Sequence, residues 1–206
     1  MPPRTEVIVR SDRDRGPASS GRPAIRMNFD WLTDRLAIGG WFSSETVELL
    51  ATVHGISRVV DLRGEDCDDE LALARHGIRL LHVPTEDCSA IDPEDIARGV
   101  AWVQSALRAR HRVLIHCQHG VGRSALLALC VLIDGGMSPV AAVTLAKDAR
   151  AAMSPTPGQL RALLAFAAER CPGRSWTMPS FDELAAIAYR HLPRKAGEVR
   201  SATAGG

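Results

Sequence analysis

The chain has 206 residues, 46 % of them hydrophobic and 24 % charged, which fits one globular domain and excludes disorder throughout. Its net charge of +1 hides an asymmetry: residues 1–26 hold six arginines against three acids, residues 193–206 hold three bases against one acid, and the stretch between is net −4. An acidic body does not suit a dedicated nucleic-acid binder, and the longest apolar run, nine residues from Ala125 to Ile133, is too short to span a bilayer.

Residues 1–26, rich in Pro, Gly, Ser and Arg, are expected to be a disordered basic segment, and residues 193–206 a disordered tail. That leaves a folded domain at 27–192. Arg35–Ile38 is expected as a first strand, followed by β-branched runs that read as buried strands at Arg58–Leu62, Ile78–Val83 and Arg112–Ile115. Trp41 and Phe42 read as core or as a helix-entry staple. Asp92 as N-cap and Pro93 at the first helical position open a helix whose apolar face carries Ile96, Val100, Val103 and Leu107. Ser124–Ile133 is expected as a helix buried all round. Ser138-Pro139 and Thr156-Pro157 open two further helices, and Ser180 with Glu183 forms a capping box before a last one, Leu184–Leu192. Alternating strands and helices predict an α/β fold: a central, mainly parallel sheet flanked by helices on both faces, with ligands at the carboxyl ends of the strands.

The strand ending at Ile115 runs into His116-Cys117-Gln118-His119-Gly120-Val121-Gly122-Arg123-Ser124 and then into a helix. A glycine-bearing loop between a strand and a helix N-terminus is an anion cradle, because loop amides and the positive end of the helix converge on one spot. Gln118, His119, Gly120, Val121 and Gly122 are therefore candidates for phosphate binding, with Arg123 adding a two-pronged fork. Cys117 begins the loop in the same positive field, which favours the thiolate and makes it a candidate nucleophile. Ser124 can donate a hydroxyl to the sulfur and help it leave. His116 is expected to shape the loop by hydrogen bonding. His116, Cys117 and His119 lack a second Cys/His pair at zinc-like spacing, so neither a metal nor any other cofactor is expected. Five cysteines, an odd number without paired spacing, point to free thiols and a cytoplasmic protein.

His116 to Ser124 resembles the H-C-x-x-G-x-x-R-S signature of the cysteine-dependent protein tyrosine phosphatase superfamily, and residues 30–170 resemble its compact, dual-specificity-like branch. Leu36–Gly40 and Gly55–Arg63 are similar to that branch's early strands. Gly122 stands where many of its members carry serine. The resemblance implies a general acid on the loop Val83–Cys88: Asp87 matches best, with Glu86 and Asp92 as alternates. It also gives Gln159 a water-positioning role, beside the preferred reading of a capping box with Thr156. Arg63 reads as a pocket-border residue or a surface salt-bridge partner. Cys88 reads as an unrelated thiol, with a disulfide to Cys117 as the alternative, and the same redox question stands for Cys67. The expected function is a metal-independent phosphomonoester hydrolase working through a cysteinyl-phosphate, a protein tyrosine or dual-specificity phosphatase acting on phosphorylated protein or peptide. The alternatives are a phosphatase of RNA 5′ phosphates or phosphoinositides, or a phosphate-reading adaptor without turnover. No dedicated nucleic-acid partner and no membrane association are expected, and a monomer is.

Overall fold

Five strands form one sheet in a computed structural model that describes residues 27–170 and 172–192. The strands are β1 (Phe29–Trp31), β2 (Leu36–Gly39), β3 (Ile56–Arg63), β4 (Arg79–Thr85) and β5 (Arg112–His116), in the spatial order β1-β2-β5-β3-β4. All neighbours pair in parallel except the antiparallel edge β1–β2. The helices are α1 (Val47–Thr52), α2 (Glu70–Arg75), α3 (Pro93–Arg108), α4 (Arg123–Asp134), α5 (Pro139–Ala149), α6 (Pro157–Arg170) and α7 (Phe181–Ala188).

The alternation of side chains along a strand builds two cores. Val60, Leu62, Ile38, Val113 and Ile115 face a large core shared with α3, α4, α5, α6 and α7. Their neighbours Val59, Ala37 and Leu114 face a smaller one, closed by Leu50 of α1 and Leu73 of α2. Because β5 is central and buried on both sides, the backbone that follows it emerges at the carboxyl edge of the sheet with little freedom. Helix α4 then runs back through the large core, buried along Arg123–Ile133, as the unbroken apolar run predicts.

Several expectations need correction. Strand β1 was not anticipated: three residues pairing at a sheet edge carry no periodic signal. Nor were α1 and α2, each six residues long and too short for a helical face to show. Helix α2 is held instead by Asp69, whose side chain accepts from the Leu71 and Ala72 amides. The last helix spans Phe181–Ala188, not Leu184–Leu192, because the Ser180–Glu183 capping box sets its first residue immediately after Ser180. Asp92 occupies the N-cap position of α3, but its side chain makes no capping bond. The expectations for residues 1–26 and 193–206 lie outside the described residues. No helix among the described residues is long and apolar enough to cross a membrane.

Candidate active site

Between β5 and α4 the chain makes a loop in which the five carbonyls from Gln118 to Gly122 are engaged by groups beyond it. Gln118 O accepts from the Trp41 amide (3.0 Å), Val121 O from the Ser154 amide (3.0 Å) and Gly122 O from the Leu126 amide (2.9 Å). His119 O and Gly120 O accept from Arg150, at 3.0 and 2.7 Å. In a planar trans peptide the N–H points opposite to the preceding carbonyl. Turning five consecutive carbonyls outward therefore turns the following amides toward the space the loop encloses, which makes an anion-binding nest. Gly120 is essential to that path. Its φ is +71°, and a Cβ there would lie 2.4 Å from the Gly39 carbonyl carbon.

Cys117 sits at the base of the nest and is buried. The Gly120 amide donates to its sulfur at 3.3 Å, and the Ser124 hydroxyl lies 3.5 Å away. Burial pushes the thiol up. Hydrogen bonds from the Ser124 hydroxyl and from the amides of Ser124, Gly120 and His119 outweigh it, so the thiol titrates below its ordinary range.

Arg123, the first residue of α4, is buried. Its Nη1 meets Glu65 Oε2 at 2.7 Å and Thr85 O at 2.8 Å. Its Nη2 meets Glu65 Oε1 at 2.8 Å and Asp87 Oδ1 at 2.9 Å. The Nε–H is buried and has no partner among the described residues. A guanidinium presents Nε and one Nη as a fork to a tetrahedral oxyanion. Here one tine is free and the other touches the exposed carboxylate of Asp87, so an incoming phosphate has only Asp87 to displace. Glu65, held in the two-pronged bond by Arg123, titrates at about 2 instead of 4.5.

A cleft of about 200 Å³ opens over this centre. Asp87, Cys88, Cys117, His119, Val121, Gly122, Arg123, Ser154, Thr156 and Gln159 line it. The structure thus brings Asp87 to the same cleft as Cys117. The alternates lie elsewhere: Glu86 faces a neighbouring groove beside Glu65, and Asp92 lies with Glu94 and Asp95 at the start of α3. Gln159 forms the expected box with Thr156, and each side chain bonds the other's amide. It also accounts for Gly122, since a Cβ there would lie 2.6 Å from Gln159 Oε1. Cys88 is exposed in the cleft, and Cys67 is exposed beside a second cavity behind the loop.

Arg63 belongs to neither of the two places expected for it. It is buried behind the loop, where it pairs with Asp61 (2.8 Å), Asp68 (2.6 Å) and Asp66 (2.9 Å). His116 joins the cluster through Asp68. Donor atoms of Asp61, Asp68 and His116 lie close enough together to hold a cation, as do those of Asp61, Cys67 and His82. In both sets Asp61 already shares its carboxylate with the Arg63 guanidinium, so a metal would have to compete with a bound cation. The sequence reading missed Glu65, Asp68 and Arg150, whose roles arise from contacts far along the chain and leave no local motif.

The family model of the dual specificity phosphatase catalytic domain matches residues 41–169. Among solved structures, Tk-PTP in its active form is 24 % identical, covering 69 % of this chain and 97 % of its own at a TM-score of 0.63. Human DUSP28 is 24 % identical over 68 % of this chain and 96 % of its own, with a TM-score of 0.62. PTPMT1 in complex with PI(5)P is 20 % identical over 68 % and 95 %, with a TM-score of 0.65. At these identities the likeness is one of fold. No curated protein matches the chain.

Proposed function

We propose for this chain, which belongs to the dual specificity phosphatase catalytic domain family and is a cysteine-based phosphatase, the hydrolysis of phosphate monoesters on protein, phosphotyrosine foremost. The observation that carries this reading is the meeting of Asp87 and Arg123 at 2.9 Å over the cleft that Cys117 shares. In the first step the Cys117 thiolate attacks phosphorus and the ester P–O bond breaks. As the phosphate takes the fork, the Asp87 carboxylate leaves Arg123, takes up a proton from solvent at the open cleft and passes it to the leaving oxygen. The loop amides and Arg123 hold the charge on the transferring group. In the second step Asp87, now a carboxylate, takes a proton from water. The water oxygen attacks phosphorus, and the P–S bond breaks to return the thiolate, which Ser124 stabilises, with inorganic phosphate as product.

The charge around the site supports a monophosphate substrate. Among the described residues lining the cleft, Arg123 is the one side chain with a permanent positive charge. The adjoining groove carries Glu65, Glu86 and Asp87. Additional phosphates, as on a polyphosphoinositide, would meet repulsion there. The test is a substrate panel in chelator: phosphotyrosine, phosphoserine and phosphothreonine peptides, RNA 5′ phosphates and phosphoinositides, with Cys117→Ser as control. Phosphotyrosine peptide should lead in kcat/KM, and Cys117→Ser should be inactive. A polyphosphoinositide ahead by tenfold would overturn the substrate class. Turnover by Cys117→Ser within a tenth of wild type would overturn the mechanism.

A further inference from the structure

The loop carrying Asp87 has little to hold it in place by itself. Glu86, Asp87 and Cys88 are all exposed, and Cys88 sits at φ +62°, a conformation that non-glycine residues avoid. Within the loop, the Ser89 amide reaches Glu86 O at 3.2 Å. Two further bonds arrive from the start of α6. The Thr156 hydroxyl donates to Cys88 O at 3.2 Å, and Gln159 Nε2 donates to Ser89 O at 2.8 Å. Both donors are themselves fixed. The Thr156 amide donates to Gln159 Oε1 at 2.8 Å, and the Gln159 amide donates to Thr156 Oγ1 at 3.3 Å. Gln159 is buried and packs where a side chain at Gly122 would stand. One rigid pair thus touches the phosphate loop on one side and two consecutive carbonyls of the acid loop on the other.

We propose that Thr156 and Gln159 are positioning residues: a clamp that holds the main chain of residues 88 and 89 so that the Asp87 side chain can swing from Arg123 to the leaving oxygen without the loop lifting away. The proposal rests on the reading of Asp87 as general acid. It differs from orientation of the hydrolytic water by Gln159. Water enters only after the cysteinyl-phosphate has formed, whereas kcat/KM reports the steps up to that point. A clamp therefore acts on kcat/KM, and most where the leaving group needs the proton. A water-orienting residue leaves kcat/KM unchanged and lowers kcat.

The experiment compares a phosphotyrosine peptide with an activated aryl phosphate, using the full chain with rates normalised to titrated active thiol. Gln159→Glu keeps the oxygen that caps α6 and sets a second oxygen against Ser89 O. Thr156→Val removes the hydroxyl, and Thr156→Ser restores it. Asp87→Asn is the reference and should lose on the order of 100-fold or more in kcat/KM on the peptide and far less on the activated ester. Gln159→Glu and Thr156→Val should lose about 10-fold on the peptide and under about 3-fold on the activated ester, a fraction of the full acid contribution. Thr156→Ser should stay near wild type. Partial unfolding lowers both substrates alike, so it does not mimic the differential. Equal losses on both substrates, or a fall in kcat at constant kcat/KM, would overturn the clamp while the Asp87→Asn differential upholds the acid. Absence of that differential in Asp87→Asn itself would overturn the acid reading and the clamp together.

Discussion

His116 Nε2 lies 2.8 Å from Asp68 Oδ2, and the other oxygen of the same carboxylate lies 2.6 Å from Arg63 Nη2. Asp68 therefore joins the residue before the nucleophile to a buried arginine at the end of β3, and the Asp68 amide is tied to Asp61 Oδ2 at 3.0 Å. Asp68→Ala would leave His116 Nε2 without its acceptor and take one of three carboxylates from Arg63, whose Nη2 keeps Asp61 Oδ2. A buried donor left unsatisfied costs about 1–3 kcal/mol, or roughly 2–12 °C in Tm for a domain of this size. Thermal melts at pH 7 check this. A shift below about 2 °C would mean that water or Asp61 replaces the lost acceptor.

Among the described residues, the Ser124 hydroxyl is the side chain hydrogen-bonded to the Cys117 sulfur, and it lowers the thiol against the burial that raises it. Ser124→Ala should move the pH midpoint of iodoacetamide alkylation upward. It should also slow breakdown of the cysteinyl-phosphate by about 10- to 100-fold, the range of one hydrogen bond to a charged atom. Rapid-quench measurement of the phosphoenzyme should show it accumulating. An unchanged alkylation profile would assign the thiolate to the loop amides alone.

Glu65 holds Arg123 by both Nη groups, and its carboxyl titrates at about 2 against an ordinary 4.5. A group lowered on folding stabilises the native state fully above its ordinary value, and that stability is lost as pH falls toward the folded one. With the Glu65 side chain 42 % exposed, solvent screening limits the effect to about 1 kcal/mol. Glu65→Gln should melt a few degrees below wild type at pH 6, with the gap closing as pH falls from 4.5 toward 2. Paired melting curves across that range decide it, and a gap of constant size would exclude the ion pair as its source.

What the sequence made legible was local. The fixed spacing from Cys117 to Arg123 lies within one strand–loop–helix unit, so the thiol, the loop amides and the guanidinium could be read together as one anion site. Asp87 was reachable because its loop follows directly on β4. Glu65 was not, since a lone acid after a strand resembles any solvated turn; only the pairing of β3 beside β5 brings it to Arg123. Arg63 was misplaced for a related reason. A strand-end arginine looks exposed until Asp61, two residues earlier on the same buried edge, is seen to neutralise it. Arg150, a basic residue at a helix end, carries no signal of the loop some thirty residues before it.

That arginine should prove costly to change. Its Nε and Nη2 hold Gly120 O and His119 O, while Nη1 reaches Asp30 at 2.7 Å and Nη2 reaches Asn28 at 2.8 Å. One ammonium cannot meet four acceptors arranged around a planar group. Arg150→Lys should therefore free the two loop carbonyls to turn and misalign the amides they face away from. The expected loss in kcat/KM is on the order of 100-fold, as for small misplacements of reacting groups. It should be measured well below the melting temperature so that the protein is folded, together with inhibition by inorganic phosphate, which should weaken in parallel. Full activity in a folded Arg150→Lys protein would show that the nest holds its shape without the brace.

The groove beside the cleft gives the last expectation. Glu65 and Glu86 lie along it with Asp87. Glu65 is neutralised by Arg123, and Asp87 is paired with the same guanidinium and is the acid of the proposed mechanism. Glu86, exposed on its rim, is the carboxylate left to act on residues flanking the phosphate. Phosphotyrosine peptides with basic flanks should be preferred over acidic ones by about 10-fold at low ionic strength, the lower end of electrostatic steering. The preference should shrink as the Debye length falls to about 3 Å near 1 M salt. Glu86→Lys should reverse it without altering the rate on a small uncharged-flank ester, since Glu86 lies outside the cleft that holds Cys117. Steady-state kcat/KM for a matched basic and acidic peptide pair, at two salt concentrations, tests the point. A preference that survives high salt and the charge reversal would place recognition in shape instead of in the field of the rim.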